Sequence, residues 1–211
     1  DWVILSVVMF AIAIVFFAFY RDNPTQQSSN RRLSVNDFKG IAKDRDMVIL
    51  TIWGFFFVGF QFIILSYLIL FLVEELKYSE IMAGGHLSVA LIASTVARII
   101  WGAISDFLFN TRRKPVLVII GCVTATCFFF VAALIGSDHS RLLVMTLVIV
   151  IGAATMSWPG VFTTYMAEIS GPERSGTAIG STNAFMRMGA IAIPPLFGLS
   201  ADHTGSYSTG W

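Results

Sequence analysis

Two arginines stand inside long apolar runs: Arg98 in Ile81–Ser105, and Arg187 at the middle of Thr177–Leu199. An ionised side chain at bilayer depth costs at least ~2.5–3.5 kcal/mol on insertion scales, and it is tolerated where it faces a protein interior or a wet cavity. A guanidinium presents a planar fork of N–H donors that matches a carboxylate or phosphate bidentately. None of the apolar runs carries Asp or Glu at its middle. Fixed charge that is only positive favours an anion, whereas a carrier of cations needs a carboxylate. The two arginines are therefore candidate ligands for a small organic anion.

Their neighbours follow from helical spacing. With Arg98 at zero and ~100° per residue, Gly84, Leu87, Leu91, Ser94, Gly102 and Ser105 fall within about 40° of it. That stripe, with its small and polar members, reads as a cavity or helix-contact face. Two structural readings of Arg98 stand beside this one: snorkelling to the nearer helix end, and pairing with Asp106. Arg187 lies about ten residues from either end of its run, too deep for easy snorkelling. Asn183, Gly180 and Gly176 share its face, and Pro194 and Pro195 follow, where they can free backbone groups. The structural alternative for Arg187 is an ion pair with an acid elsewhere. Trp158 and Tyr165 share a face with Thr155 and Phe162 and are further substrate-binding candidates, with packing as the plain alternative. Gln61 is a lone polar side chain that either meets substrate or makes an interhelical hydrogen bond. His86, about 120° from Arg98, is expected to be a satisfied interior histidine.

These side chains need a membrane to be of interest, and composition supplies it. The chain has 211 residues, of which 56% are hydrophobic, 13% are charged and 19 are Phe. A soluble domain carries about 25% charged residues. Six continuous apolar runs reach the ~20 residues that cross a bilayer as a helix: Trp2–Tyr20, Met47–Val73, Ile81–Ser105, Pro115–Gly136, Leu142–Ala167 and Thr177–Leu199. They do not alternate as membrane strands do. The fold class expected is an all-α membrane protein. Pro159 is expected to kink the fifth run. Cys122 and Cys127 are expected to be free, buried thiols, because their spacing does not put them on one helix face. No secretory signal is legible in Asp1–Tyr20, and the chain reads as part of a longer protein.

The loops sort by charge. Arg21, Arg31, Arg32, Lys39, Lys43, Arg45, Arg112, Arg113, Lys114 and Arg174 fall on one side, and only Lys77 and Arg141 on the other. The positive-inside rule makes the first side cytoplasmic, in a plasma or bacterial inner membrane. Residues 1–20 then form one leading helix, 21–46 a cytoplasmic linker and 47–211 a five-helix bundle. The linker is polar, with an interfacial helix expected from Ser34, its N-cap, to Lys43. Its basic residues need no nucleic acid to explain them. Ser200–Trp211 reads as an external turn.

The loop ends carry motifs. Gly102-Ala-Ile-Ser-Asp106 precedes Arg112-Arg113-Lys114, and Gly102 is placed to admit a neighbouring backbone. Asp106 sits where its helix emerges, and Arg112 to Lys114 anchor the next one. Ala167-Glu168 leads through Pro172-Glu173-Arg174 to Gly176 and Gly180, a GxxxG spacing for tight helix contact. In combination these stretches, with Pro194-Pro195-Leu-Phe-Gly198 and Asp202-His-Thr-Gly205-Ser-Tyr207, resemble the major facilitator superfamily. The resemblance implies a major-facilitator-type helical bundle that is incomplete here: helix six, the central linker and helices seven to eleven, with the first five helices and the last one missing. It implies alternating access by rocking halves, with the missing N-terminal half as partner. Gly102, Asp106, Arg112, Arg113, Glu168 and Arg174 are the implied conformational residues. One departure is that five residues separate Asp106 from Arg112 with no glycine among them. Arg98 and Arg187 also resemble the basic residues of oxalate/formate antiporters and monocarboxylate carriers, while Ser157-Trp158-Pro159-Gly160-Val161 is equally similar to uncharacterised facilitators.

The function expected is a secondary active transporter of a small, anionic solute in a lipid bilayer. An efflux carrier of amphipathic drugs is the alternative, and a channel or membrane interaction subunit is the competing class. An enzyme is not expected, since H-E-x-x-H, G-x-S-x-G and a phosphate-binding glycine loop are all missing. No cofactor or metal is called for.

Overall fold

The computed structural model describes residues 2–20, 40–133 and 140–204. Among these residues there is no strand, and six helices are long and apolar enough to cross a membrane. The chain divides into two compact units, Asp1–Ser34 and Val35–Trp211. The first unit's described part is α1, Trp2–Phe19, which buries none of its residues. A helix apolar all round is suited to lipid.

The second unit holds α2 (Arg45–Glu74), α3 (Glu80–Ala103, prolonged by a π-helical turn at Ile104–Leu108), α4 (Arg113–Ala133), α5 (Arg141–Thr155), α6 (Pro159–Ser170) and α7 (Ser175–Thr204). Local chemistry sets the helix ends. Asp44 caps α2 by accepting from the amides of Asp46 and Met47, Ser79 caps α3 and Ser140 caps α5. Each side chain satisfies an amide that lacks an intrahelical partner. Gly171, at φ 75°, ends α6 in a conformation that glycine adopts without strain. α5 and α6 together make the fifth span, broken at Met156–Trp158 just before Pro159. The expected kink is thus a full interruption. α7 runs on through Pro194 and Pro195. Ser200–Thr204, expected in an external turn, continue that helix, whose last residues are more polar but meet no helix breaker. Of the interfacial helix expected over 34–43, only 40–43 are described, and they are helical. The proposed cap Ser34, the rest of the basic linker and the tail from 205 lie outside the described residues.

α2 and the broken fifth span form the middle of this unit: α7 packs on α2 and α6, α3 on α5, α2 and α6, and α4 on α5 and α6. One apolar cluster, including Phe57, Ile120, Phe162 and Met186, fills the end near the basic loops. A second, including Ile64, Leu68, Ala90 and Val148, fills the other. Helices close up where glycine removes a side chain. A Cβ on Gly152 would stand 2.3 Å from the Ala90 carbonyl oxygen, and one on Gly189 2.2 Å from that of Phe55. Such near backbone contact is how helices associate in lipid, where burial of apolar surface no longer discriminates. The glycines expected to do this do not. Among the described residues nothing lies within 4 Å of a Cβ placed on Gly102, Gly176 or Gly180. Spacing marks a small-residue face but not whether a neighbour covers it.

Candidate functional site

α7 buries Ala178, Thr182, Met186, Gly189, Pro194, Phe197 and Ala201. On the side away from Ala178, Thr182, Met186 and Gly189, the residues Gly176, Gly180, Asn183 and Arg187 are all exposed. The face expected to carry substrate groups is thus uncovered by its own bundle. Among the described residues Arg187 makes no hydrogen bond or ion pair.

Arg98 is also exposed, but it is engaged. One Nη donates to the Met156 carbonyl at 3.2 Å, and Trp101, three residues on, donates from Nε1 to the Ala153 carbonyl at 2.9 Å. Both carbonyls belong to the broken fifth span. Helix interruption explains the demand: Pro159 has no N–H for the Thr155 carbonyl, and the last turn of any helix leaves carbonyls without intrahelical donors. Pairing of Arg98 with Asp106 is not what the structure shows. Arg98 and Arg187 stand on helices without an extensive shared interface and do not bond to one another.

The remaining substrate candidates separate. Trp158 is 2% exposed and packs edge-on against Trp53, Phe57 and Phe162, with its Nε1 buried and unpartnered. Tyr165 is half-buried beside Asp46, Trp53 and Lys114, around a space of about 120 Å³ at the basic end of the bundle. Gln61 is half-buried and has no hydrogen bond among the described residues, so the expected interhelical bond is not made. His86 is buried, and Nδ1 is 2.7 Å from the Met82 carbonyl, but Nε2 is left without a partner. It is half-satisfied rather than satisfied. Cys127 is buried, whereas Cys122 is exposed, a correction to the expectation that both are buried.

The conformational candidates converge on one residue. Arg113, at the start of α4, bonds Asp106 through Nη1, Glu168 through Nε at 3.2 Å and Ser105 Oγ at 2.9 Å. Its side chain is 12% exposed, against 48% for Asp106 and 45% for Glu168. One guanidinium therefore ties α3, α4 and the end of α6 together. The π-helical turn and the loop after it account for the stretched spacing. The Phe109 amide reaches back to Ile104, the Thr111 amide to Ser105, and Asn110 and Thr111 take φ of 48° and 65°. The extra residues are absorbed by the wider turn, and the left-handed positions that glycine would fill fall to Asn and, unusually, a β-branched Thr. Arg112 points into the open, with no bond from its side chain to a described residue. Arg174 lies against Gly40, where a Cβ would be 3.6 Å from its Nη1. Gly102 has no neighbour at this distance.

Three contacts had no place in the reading of the sequence: Trp101 on Ala153, Thr51 Oγ1 with Thr182 Oγ1 at 3.2 Å, and Tyr67 Oη donating to the Pro194 carbonyl at 3.2 Å. An indole N–H in an apolar helix seeks an acceptor, as do the hydroxyls of Thr51, Thr182 and Tyr67. These signals name the groups but not the pairs. Among the described residues no group of His, Cys, Asp or Glu could hold a metal ion.

The pattern that describes the Major Facilitator Superfamily matches residues 2–194. Two uncharacterized MFS-type transporters, from two strains of Mycobacterium tuberculosis, are each 30% identical over 151 residues, which is 72% of this chain and 33% of the relative. The chain spans about a third of the length of these curated relatives.

Proposed function

We propose that this chain, which belongs to the Major Facilitator Superfamily, forms part of a secondary transporter that moves a small organic anion, such as a carboxylate, by alternating access. The observation that carries the anion reading is Arg187. It stands in mid-span on an uncovered face, beside Asn183 and open glycines, without an acid among the described residues. An unpaired charge there needs either a wet cavity or a ligand of opposite sign. Arg98 adds a second positive group with donors to spare. Alternating access makes sense of the Arg113 junction: bonds to Asp106 and Glu168 hold three elements together at one end and must loosen when that end opens. The excess of basic residues in the loops at that end supports a cytoplasmic position for it and for the linker 21–46, with the spans in a cell membrane. The partner of the uncovered α7 face is a second helical half, and the bilayer surrounds both.

A second reading has its own observation. A groove of about 400 Å³ between α2 and α4 is lined by Phe57, Phe60, Phe128, Phe129 and Thr124, and suits an amphipathic solute. One experiment separates the two. The carrier, with whatever further segments its natural polypeptide has, is reconstituted in proteoliposomes preloaded with small mono- or dicarboxylates, with a cationic dye as control. We expect saturable carboxylate counterflow that Arg187→Gln abolishes without loss of folding or insertion. Normal counterflow in that variant overturns the anion site. Dye movement without carboxylate exchange establishes the efflux reading.

A further inference from the structure

We propose that the break in the fifth span is a cradle that aims Arg98, with Trp101 and the Met156 carbonyl as its positioning groups; the ligand half of this idea rests on the anion reading above. The break leaves carbonyl groups at mid-span, and two of them are met from a single neighbouring helix. Trp101 Nε1 holds Ala153, which also accepts from Ser157 Oγ, and Arg98 Nη2 holds Met156. α3 reaches these groups because it lies backbone to backbone on α5 at Ala90 and Gly152.

Two features separate this arrangement from simple capping. First, a carbonyl at a helix C-terminus offers a cation only partial negative charge. The guanidinium uses one of its five N–H donors on Met156, has no acid partner among the described residues, and belongs to an exposed residue. A free edge remains for bidentate contact with a carboxylate. Second, the break is not saturated. Thr155 Oγ1 and Trp158 Nε1, on either side of Met156 and Ser157, are buried without partners. A merely structural kink would be expected to satisfy such groups. Two of its carbonyls, Ala153 and Met156, are met by side chains of α3, so what fixes Arg98 also helps to order residues 153–158, and what orders those residues helps to fix Arg98.

Trp101→Phe tests the cradle, because it keeps the ring and deletes the N–H. Two measurements are made on the reconstituted carrier, with succinate and acetate as probes. The first is backbone hydrogen exchange of a peptide spanning 153–160 without any probe, with a peptide of α7 as control. We expect exchange at least several-fold faster in Trp101→Phe, with the control unchanged. The second is carboxylate counterflow, for which we expect a several-fold rise in KM with the maximal rate within about twofold of wild type. If Trp101→Phe is not recovered folded, Arg98→Lys is read in the same assays, since a single ammonium lacks the fork that serves both Met156 and a carboxylate, and the same two changes are expected. Unchanged hydrogen exchange overturns the cradle itself. Faster exchange with wild-type KM leaves a structural cap and overturns the positioning role. If the wild type exchanges no carboxylate, the anion reading fails and takes the ligand half with it, while hydrogen exchange still decides whether the break is held from α3.

Discussion

Gly152→Ala concentrates the packing argument in one methyl group. The new Cβ would stand 2.3 Å from the Ala90 carbonyl oxygen and 2.7 Å from Ala90 Cα. Ordinary contact needs about 1 Å more than this, and the obstacle is backbone, which cannot rotate aside. α3 and α5 must therefore part along their shared seam. Overpacking costs about 1–3 kcal/mol, and a backbone obstacle puts this site in the upper part of that range, about 2–3 kcal/mol. Alanine returns about 1 kcal/mol of helix propensity over glycine, which leaves a net loss of roughly 1–2 kcal/mol. At ~2–4 °C per kcal/mol for a unit of this size, the melting temperature should fall by roughly 2–8 °C. The seam also carries the bonds from Arg98 to Met156 and from Trp101 to Ala153, so separation weakens them as well. Gly85→Ala, on α3 itself, is the control: among the described residues nothing stands within 4 Å of its Cβ, and alanine should be neutral or slightly stabilising there. Thermal melting of the purified carrier in detergent, followed by size-exclusion recovery, compares the three proteins. A Gly152→Ala protein that melts with the wild type would refute the close crossing, above all if Gly85→Ala were the damaging change.

The other predictions concern the junction at the basic end. Arg113→Ala removes bonds to Asp106, Glu168 and Ser105, worth together about 1–2 kcal/mol with both carboxylates half exposed. It should shift the equilibrium between access states roughly 5–30-fold and change the rate of counterflow more than its KM, as should Asp106→Asn; an effect confined to KM would count against a latch. Arg112→Ala, one residue away, should leave both within about twofold, and equal damage from the two would mean that charge density rather than the junction matters. Thr111→Gly removes a β-branched residue at φ 65°, where an L-residue pays about 1–2 kcal/mol. It should raise the melting temperature by a few degrees, and a lowered one would show that Thr111 is not strained.

Much of this protein is legible in its residues alone. The spans follow from apolar length, because the bilayer has one thickness and a backbone must satisfy its polar groups within it. The two arginines stand out by their place inside apolar runs, and the face shared by Gly176, Gly180, Asn183 and Arg187 follows from helical periodicity. A disturbance of the fifth span at Pro159 follows from a missing N–H, although the sequence indicates a kink and the structure shows a full interruption. Each of these is a local or one-dimensional constraint.

Pairing is a different matter. Which glycine meets a backbone depends on how helices cross, so Gly152 and Gly189 are tight while Gly102, Gly176 and Gly180 are open. Which of two adjacent arginines closes the junction depends on the π-helical turn and the left-handed residues after it, which turn Arg113 inward and Arg112 out. Trp158 and Phe162 share a helical face, but only the positions of Trp53 and Phe57 on another helix bury that face. Arg98 is recognisable as costly from its place in the chain, yet its partner is a carbonyl 58 residues away that exists as a free acceptor only because another span is broken. Periodicity tells which side chains share a face, and the crossing of helices in three dimensions decides what that face meets.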